Sequence, residues 1–178
     1  MGTRRRYFRL SEAELERALA DPDWARARLA ELRTLERWDD RPEDARVLGI
    51  DKSWVEIDLI MAGLGMSRNM LNGFHFLYPR DRPRNEDWEH FGEDEQRAMS
   101  PPTYRPPDQV RVLAAGLNQR PFGELFDAFD PHTAADIPAS QARQWAMERD
   151  WVVSHGERLQ RFFAAAADDG DATVSYLG

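Results

Sequence analysis

The five residues Ile50-Asp51-Lys52-Ser53-Trp54 set an acid, the only lysine of the chain, a hydroxyl and an indole side by side. Every other member of the 24 basic residues is an arginine. An ammonium is a compact point charge whose pKa moves on burial, whereas guanidinium is a planar, permanent fork, so the two cations suit different chemistry. Asp51 reads as the N-cap of a helix, which puts Lys52 on its first turn. Free amides and the helix dipole already favour an anion there, and the ammonium would add to them. The bland reading is a solvated cation one turn from Glu56, worth roughly a few tenths of a kcal/mol. Arginine-rich, GC-rich coding accounts for the rarity of lysine equally well.

Asp58 follows Trp54 by one helical turn and sits beside Ile57 and Met61. A carboxylate so close to an apolar stripe needs a cation or several donors to remain charged. It either pairs with an arginine at a helix–helix contact or lines a pocket. Asp51 and Asp58 share a helix face, but about 10.5 Å of axial rise would separate them, more than the roughly 5–9.5 Å of paired glycosidase carboxylates. A two-carboxylate hydrolase on this helix is therefore disfavoured. His75, His90, His132 and His155 show no HxxxH or HExxH spacing, so no metal site is expected. Gly65-Met66-Ser67-Arg68-Asn69 lacks the final glycine of a nucleophile elbow, and Gly63-Leu64-Gly65 is too short for a phosphate-binding fingerprint.

The elements that must position these groups follow from periodicity and caps. Thr3 to Leu10 reads as a strand. Ser11-Glu12-Ala13-Glu14 is a capping box that opens a helix to about Ala20, and Asp21-Pro22 starts another, with Leu29, Leu32 and Leu35 on its apolar face. Asp39 to Glu43 reads as a polar loop. From Asp51 the stripe Trp54, Ile57, Met61, Leu64 marks a helix ended by Gly63 and Gly65. An extended run, Gly73 to Tyr78, leads into a long loop. Asp108 to Leu117 is a helix on Val110, Leu113, Ala114 and Leu117, Pro121 to Phe129 a shorter one, and Asp130 to Ala139 is irregular. Trp151 to Ala167 is amphipathic on Leu159, Phe162, Phe163 and Ala166, closed by Asp169-Gly170, and Ala172 to Leu177 is a final strand. The expectation is a single α+β domain, mostly helical, with a small sheet including both terminal strands, which pair with each other. A divergent aromatic and charged insertion covers about 66–103.

Composition sets the outer limits. A chain of 178 residues with 42% hydrophobic content suits one globular domain. The net charge of −8 disfavours non-specific nucleic-acid binding, with Arg4, Arg5 and Arg6 as a small basic arm against that balance. Without cysteine there is no disulfide, thiolate nucleophile or sulfur-ligated metal. No signal peptide or membrane span is read, and a cytoplasmic bacterial protein is expected.

The order of pieces resembles the YfbM-like family of bacterial proteins, a domain-of-unknown-function family (DUF1877). The resemblance rests on Tyr7-Phe8 with its Leu-Ser-Glu-Ala-Glu-Leu helix, Ile50-Asp51-Lys52-Ser53-Trp54 with Gly63, and Tyr104-Arg105-Pro106-Pro107-Asp108-Gln109-Val110. Phe129-Asp130-Pro131 and Phe162-Phe163-Ala164-Ala165-Ala166 complete it. Ile57-Asp58 stands where the family carries a Leu-His pair, and Asp136-Ile137-Pro138 lacks the tyrosine of an Ile-Tyr-Pro turn. The resemblance implies an α+β fold and no established activity.

Two functions remain in competition. One is a non-enzymatic binding domain, for instance an immunity-type protein that neutralises a basic toxin. Its interaction surface would be Phe76, Tyr78, Trp88 and Phe91, since interfaces favour aromatic residues and arginine. The other is a small-molecule-binding protein or hydrolase-like enzyme with a pocket near the start of the Asp51 helix, using Asp51, Lys52, Trp54, Asp58 and Tyr104. No catalytic residue, metal or cofactor is assigned. The partner is an unknown protein or small molecule, with neither nucleic acid nor membrane expected.

Overall fold

A computed structural model describes residues 4–37, 41–51, 53–63, 71, 73, 75–78, 101–132 and 145–177. Lys52, Trp88, Phe91 and most of the 66–103 insertion lie outside the described residues, as does 133–144. Strand β1 (Arg5–Leu10) is followed by helices α1 (Glu12–Ala20) and α2 (Pro22–Arg33) and strand β2 (Val47–Ile50). Helix α3 (Trp54–Gly63), β3 (His75–Phe76) and β4 (Thr103–Arg105) come next. Helices α4 (Pro107–Leu117) and α5 (Phe122–Ala128), a 3-10 turn (Trp145–Glu148), α6 (Arg149–Asp169) and β5 (Ala172–Leu177) complete the chain.

The five strands form one antiparallel sheet in the order β2-β1-β5-β4-β3. The terminal strands β1 and β5 pair along six residues, from Arg5↔Leu177 to Leu10↔Ala172, as the sequence predicted. Successive side chains of a strand point to opposite faces, and each face has its own core. Tyr7, Leu48 and Ile50 pack under α3, α4, α5 and α6. Phe8, Leu10, Val47, Ala172 and Val174 pack under α1 and α2.

Helix boundaries follow local chemistry. Ser11 accepts from the Glu14 amide while Glu14 Oε2 accepts from the Ser11 amide at 2.9 Å, closing the expected capping box. Asp21 accepts from the Asp23 and Trp24 amides and starts α2. That helix stops at Arg33, leaving Leu35 beyond its apolar face and about half exposed. Gly170 takes the left-handed conformation, φ 71°, and turns the chain from α6 into β5. Gly156 of α6 lets Phe122 lie against the helix backbone, because a Cβ there would stand 2.1 Å from Phe122 Cδ1. Gln160 fastens the same contact: its amide donates to the Leu117 and Arg120 carbonyls and its oxygen accepts from the Phe122 amide.

Two readings are corrected. Arg5 and Arg6 belong to no basic arm; they lie inside β1, 4% and 7% exposed, because each has a carboxylate partner in Asp58 and Glu36. The helix expected from Asp51 begins at Trp54, whose amide donates to the Asp51 carbonyl at 3.3 Å. Strand β2, immediately before it, was not foreseen.

Glu14 binds three elements together. Its carboxylate accepts from Arg28 of α2 at 2.7 Å and from Arg46, just before β2, at 2.6 Å. Partial burial acts to raise its pKa, but the Ser11 amide, Arg28 and Arg46 together hold it at about 2. A depressed carboxylate pKa contributes stability above the ordinary value that is lost as pH falls toward the folded one. Glu14→Gln should therefore cost about 2 kcal/mol at neutral pH, after discounting for exposure. It should also flatten the loss of stability between the ordinary carboxylate pKa and pH ~2, read from urea melts across that range. Gly156→Ala should destabilise by about 1–3 kcal/mol through overpacking against Phe122, measured by the urea midpoint at unchanged m-value.

Candidate functional site

Asp58 is where the competing readings part. Arg5 Nη1 donates to Asp58 Oδ2 at 2.8 Å, and the same guanidinium lies 4.3 Å from the centre of the Trp54 ring. The Arg5 side chain is 5% exposed and that of Asp58 14%, so the pair is largely desolvated. Burial opposes the Arg5 charge, but the pair with Asp58 offsets it, and the pKa lies above the ordinary arginine value. Tyr7, on the same face of β1, is fully buried with its ring edge-on to Phe163 at 5.4 Å. Burial, opposed in part by Arg5, pushes its phenol far above the ordinary range, so it stays neutral. The buried Arg105 guanidinium has its pKa lowered by desolvation, with Tyr7 acting the other way. Trp54 and Asp58 are thus brought together, around a strand arginine.

The remaining candidates lie elsewhere. Asp51 is partly exposed and faces α6, where it acts to raise the pKa of His155. Burial is the main influence on that imidazole and, with Arg158 and Arg4, leaves its pKa lowered; its ring meets Trp151 edge-on at 5.3 Å. Tyr104 packs in the α1–α2 core, on the opposite face of the sheet from Tyr7, with its ring 5.7 Å from His75. Phe76 is 53% exposed on β3, at the sheet's edge. Tyr78 lies under Arg26 at 4.8 Å and helps line a cavity of about 160 Å³ with Phe8, Arg33, Pro102 and Tyr176.

A larger cavity, about 420 Å³, lies along β2. Arg4, Arg33, Glu36, Arg37 and Arg158 line it with Val47, Leu48 and Gly49. These arginines were not among the sequence candidates, since they come from three separate stretches of chain. The alternation of Arg5, Tyr7 and Arg9 on one face of β1 was a usable signal for the Asp58 pair: a strand arginine directed at a core demands a counter-charge. Among the described residues no group of three or more His, Cys, Asp or Glu could hold a metal ion, and no helix is long and apolar enough to cross a membrane.

The fold and its buried charges define a small α+β domain with a helix-covered antiparallel sheet. Residues 1–176 match the family model "Domain of unknown function (DUF1877)", and the chain belongs to that family. It is similar in structure to YfbM from Escherichia coli, a protein of unknown function, with a TM-score of 0.54 and 12% identity over 98% of this chain and 99% of that one. That likeness speaks for the fold alone. No curated protein matches the sequence.

Removing Asp58 leaves the Arg5 charge buried without its carboxylate. Asp58→Ala should cost about 3–5 kcal/mol, and Arg5→Met/Asp58→Leu distinctly less, because the double change removes both charges. Urea denaturation of Arg5→Met, Asp58→Leu and the double variant beside wild type gives the coupling directly.

Proposed function

We propose that this protein is a non-enzymatic binding domain that recognises another protein through the β3 end of its sheet. The observation that carries the reading is Phe76, half exposed on the last strand of the sheet, with Tyr78, Arg26 and Tyr176 grouped at the neighbouring cavity. Exposed aromatic rings beside arginine are the composition of interface hot spots. The commitment of Asp58 to Arg5 supports a binding role over acid–base chemistry at the start of α3, since the carboxylate is held by a permanent cation. A net charge of −8 favours a basic partner; neutralisation of a basic toxin is one concrete form. The small-molecule alternative draws its support from the β2 cavity, whose strand runs directly into Asp51.

Affinity capture from an extract of the native cells tests the partner reading. The wild-type chain should retain a basic protein that Phe76→Ala/Tyr78→Ala loses, with affinity reduced by about 10-fold or more. Identical retention by both chains, or retention of nothing specific, would overturn it.

A further inference from the structure

We propose that the cavity along β2 is a binding site for a small anion carrying several phosphate groups. Neither Phe76 nor Tyr78 lines this cavity, which shares only Arg33 among the described residues with the one beside Tyr78, so the inference is tested separately from the partner-binding reading.

Charge makes the first part of the case. Among the described residues, four guanidinium groups, those of Arg4, Arg33, Arg37 and Arg158, line the cavity together with one carboxylate, Glu36. That carboxylate is already engaged, accepting from Arg6 at 2.8 Å and lying 3.6 Å from Arg4. Among the described residues the lining therefore holds more cations than anions, on a chain whose net charge is −8. A concave surface of one sign concentrates field lines and raises the local concentration of the opposite ion.

Geometry makes the second part. Arg33 ends α2, which covers one face of the sheet, with Arg37 four residues beyond it, and Arg158 comes from α6, which covers the other. The forks converge on the sheet edge from both sides of its plane. A planar carboxylate takes a fork in its own plane, whereas a tetrahedral phosphate presents oxygens in several directions and accepts from forks on different sides. A volume of about 420 Å³ is within the range of small-molecule sites and large enough that one phosphate would not engage all four arginines.

The strand supplies neutral donors as well. The Arg9 amide donates to the Arg46 carbonyl, which makes Arg9 and Arg46 a hydrogen-bonded pair. Such pairs alternate along an antiparallel ladder, so Tyr7↔Leu48 is bonded in turn, and the peptide groups of Val47 and Gly49 point away from β1. Both residues line the cavity. Gly49 has a further part: a Cβ there would stand 1.9 Å from Glu36 Oε1, so glycine allows that carboxylate to lie close over the strand. Charged side chains also protect exposed sheet edges from pairing with other chains, but that duty does not require four like charges from separate stretches to enclose one volume.

Isothermal titration with sodium tripolyphosphate, at ionic strength held constant with sodium chloride, tests the site. Wild type should bind one equivalent saturably, and its melting temperature should rise with ligand concentration as linkage requires. Arg4→Ser/Arg37→Ser removes two exposed lining arginines and should weaken binding about tenfold or more, with Arg37→Ser alone weakening it in the same direction. Arg111→Ser, which removes an exposed charge from α4, should bind as wild type does. Adenosine triphosphate and a sugar bisphosphate as further ligands identify the source of the phosphates; tighter binding than tripolyphosphate by either assigns the extra contacts to its organic part. Absence of saturable binding overturns the proposal. So does an Arg111→Ser loss equal to that of the double variant, which would mean diffuse attraction, or citrate binding as tightly as tripolyphosphate, which would remove the preference for phosphate.

Discussion

The structure depends on burying the arginines of its first strand. Arg5, Arg6 and Arg9 are each less than a tenth exposed, and each ends on a carboxylate from a different part of the chain. Arg5 meets Asp58 of α3, Arg6 meets Glu36 just after α2, and Arg9 meets Asp169 and Asp171 at the turn between α6 and β5. Desolvating a guanidinium costs several kcal/mol, and only a well-formed pair with further hydrogen bonds offsets it. Arg9 shows the completed arrangement, with Nη1 also donating to the Glu43 carbonyl at 3.0 Å. Any arrangement of helices that left one of these cations unpaired would be strongly penalised, so the row on β1 selects where its neighbours dock.

The same principle holds the α1–α2 layer. Glu14 caps its own helix and accepts from Arg28 and Arg46, which joins α1, α2 and the start of β2 through one carboxylate. Apolar contacts alone would let two short helices slide on a flat sheet face; directional charge pairs fix their position. Arginine suits this use because its fork makes two or more bonds at once, whereas lysine is a single hydrated charge. The composition of the chain thereby acquires a structural meaning beyond coding bias.

Arginine also links the two concave surfaces. Arg33, the last residue of α2, lines both the aromatic cavity near Tyr78 and the arginine-rich one along β2. The first has apolar walls with a stacked guanidinium and suits a protein side chain. The second is polar and bounded by a strand edge, and suits a compact anion. Arg5 is buried inside the fold against Asp58, while among the described residues that line the β2 cavity four arginines stand with one carboxylate, Glu36.

Much of the fold was legible from local signals. The capping box at Ser11, the Asp21-Pro22 start, the Val110-Leu113-Ala114-Leu117 stripe and the Asp169-Gly170 stop each act within one or two helical turns, so the sequence alone determines them. The pairing of terminal strands was readable too, because two strands with helices between them have few other partners. Strand β2 escaped because Val47–Ile50 is four residues long and buried throughout, leaving no alternation to read. The alternation of Arg5, Tyr7 and Arg9 signalled that a counter-charge was needed without saying which, and the convergence of Arg4, Arg33, Arg37 and Arg158 had no local signature. Asp58 lies 53 residues from Arg5, and charge complementarity over such distances is decided only when the sheet and its helices close. The sequence determined which elements form and which charges need partners; the tertiary structure alone decided which partner each one found, because Coulomb pairing acts through space and is blind to position along the chain.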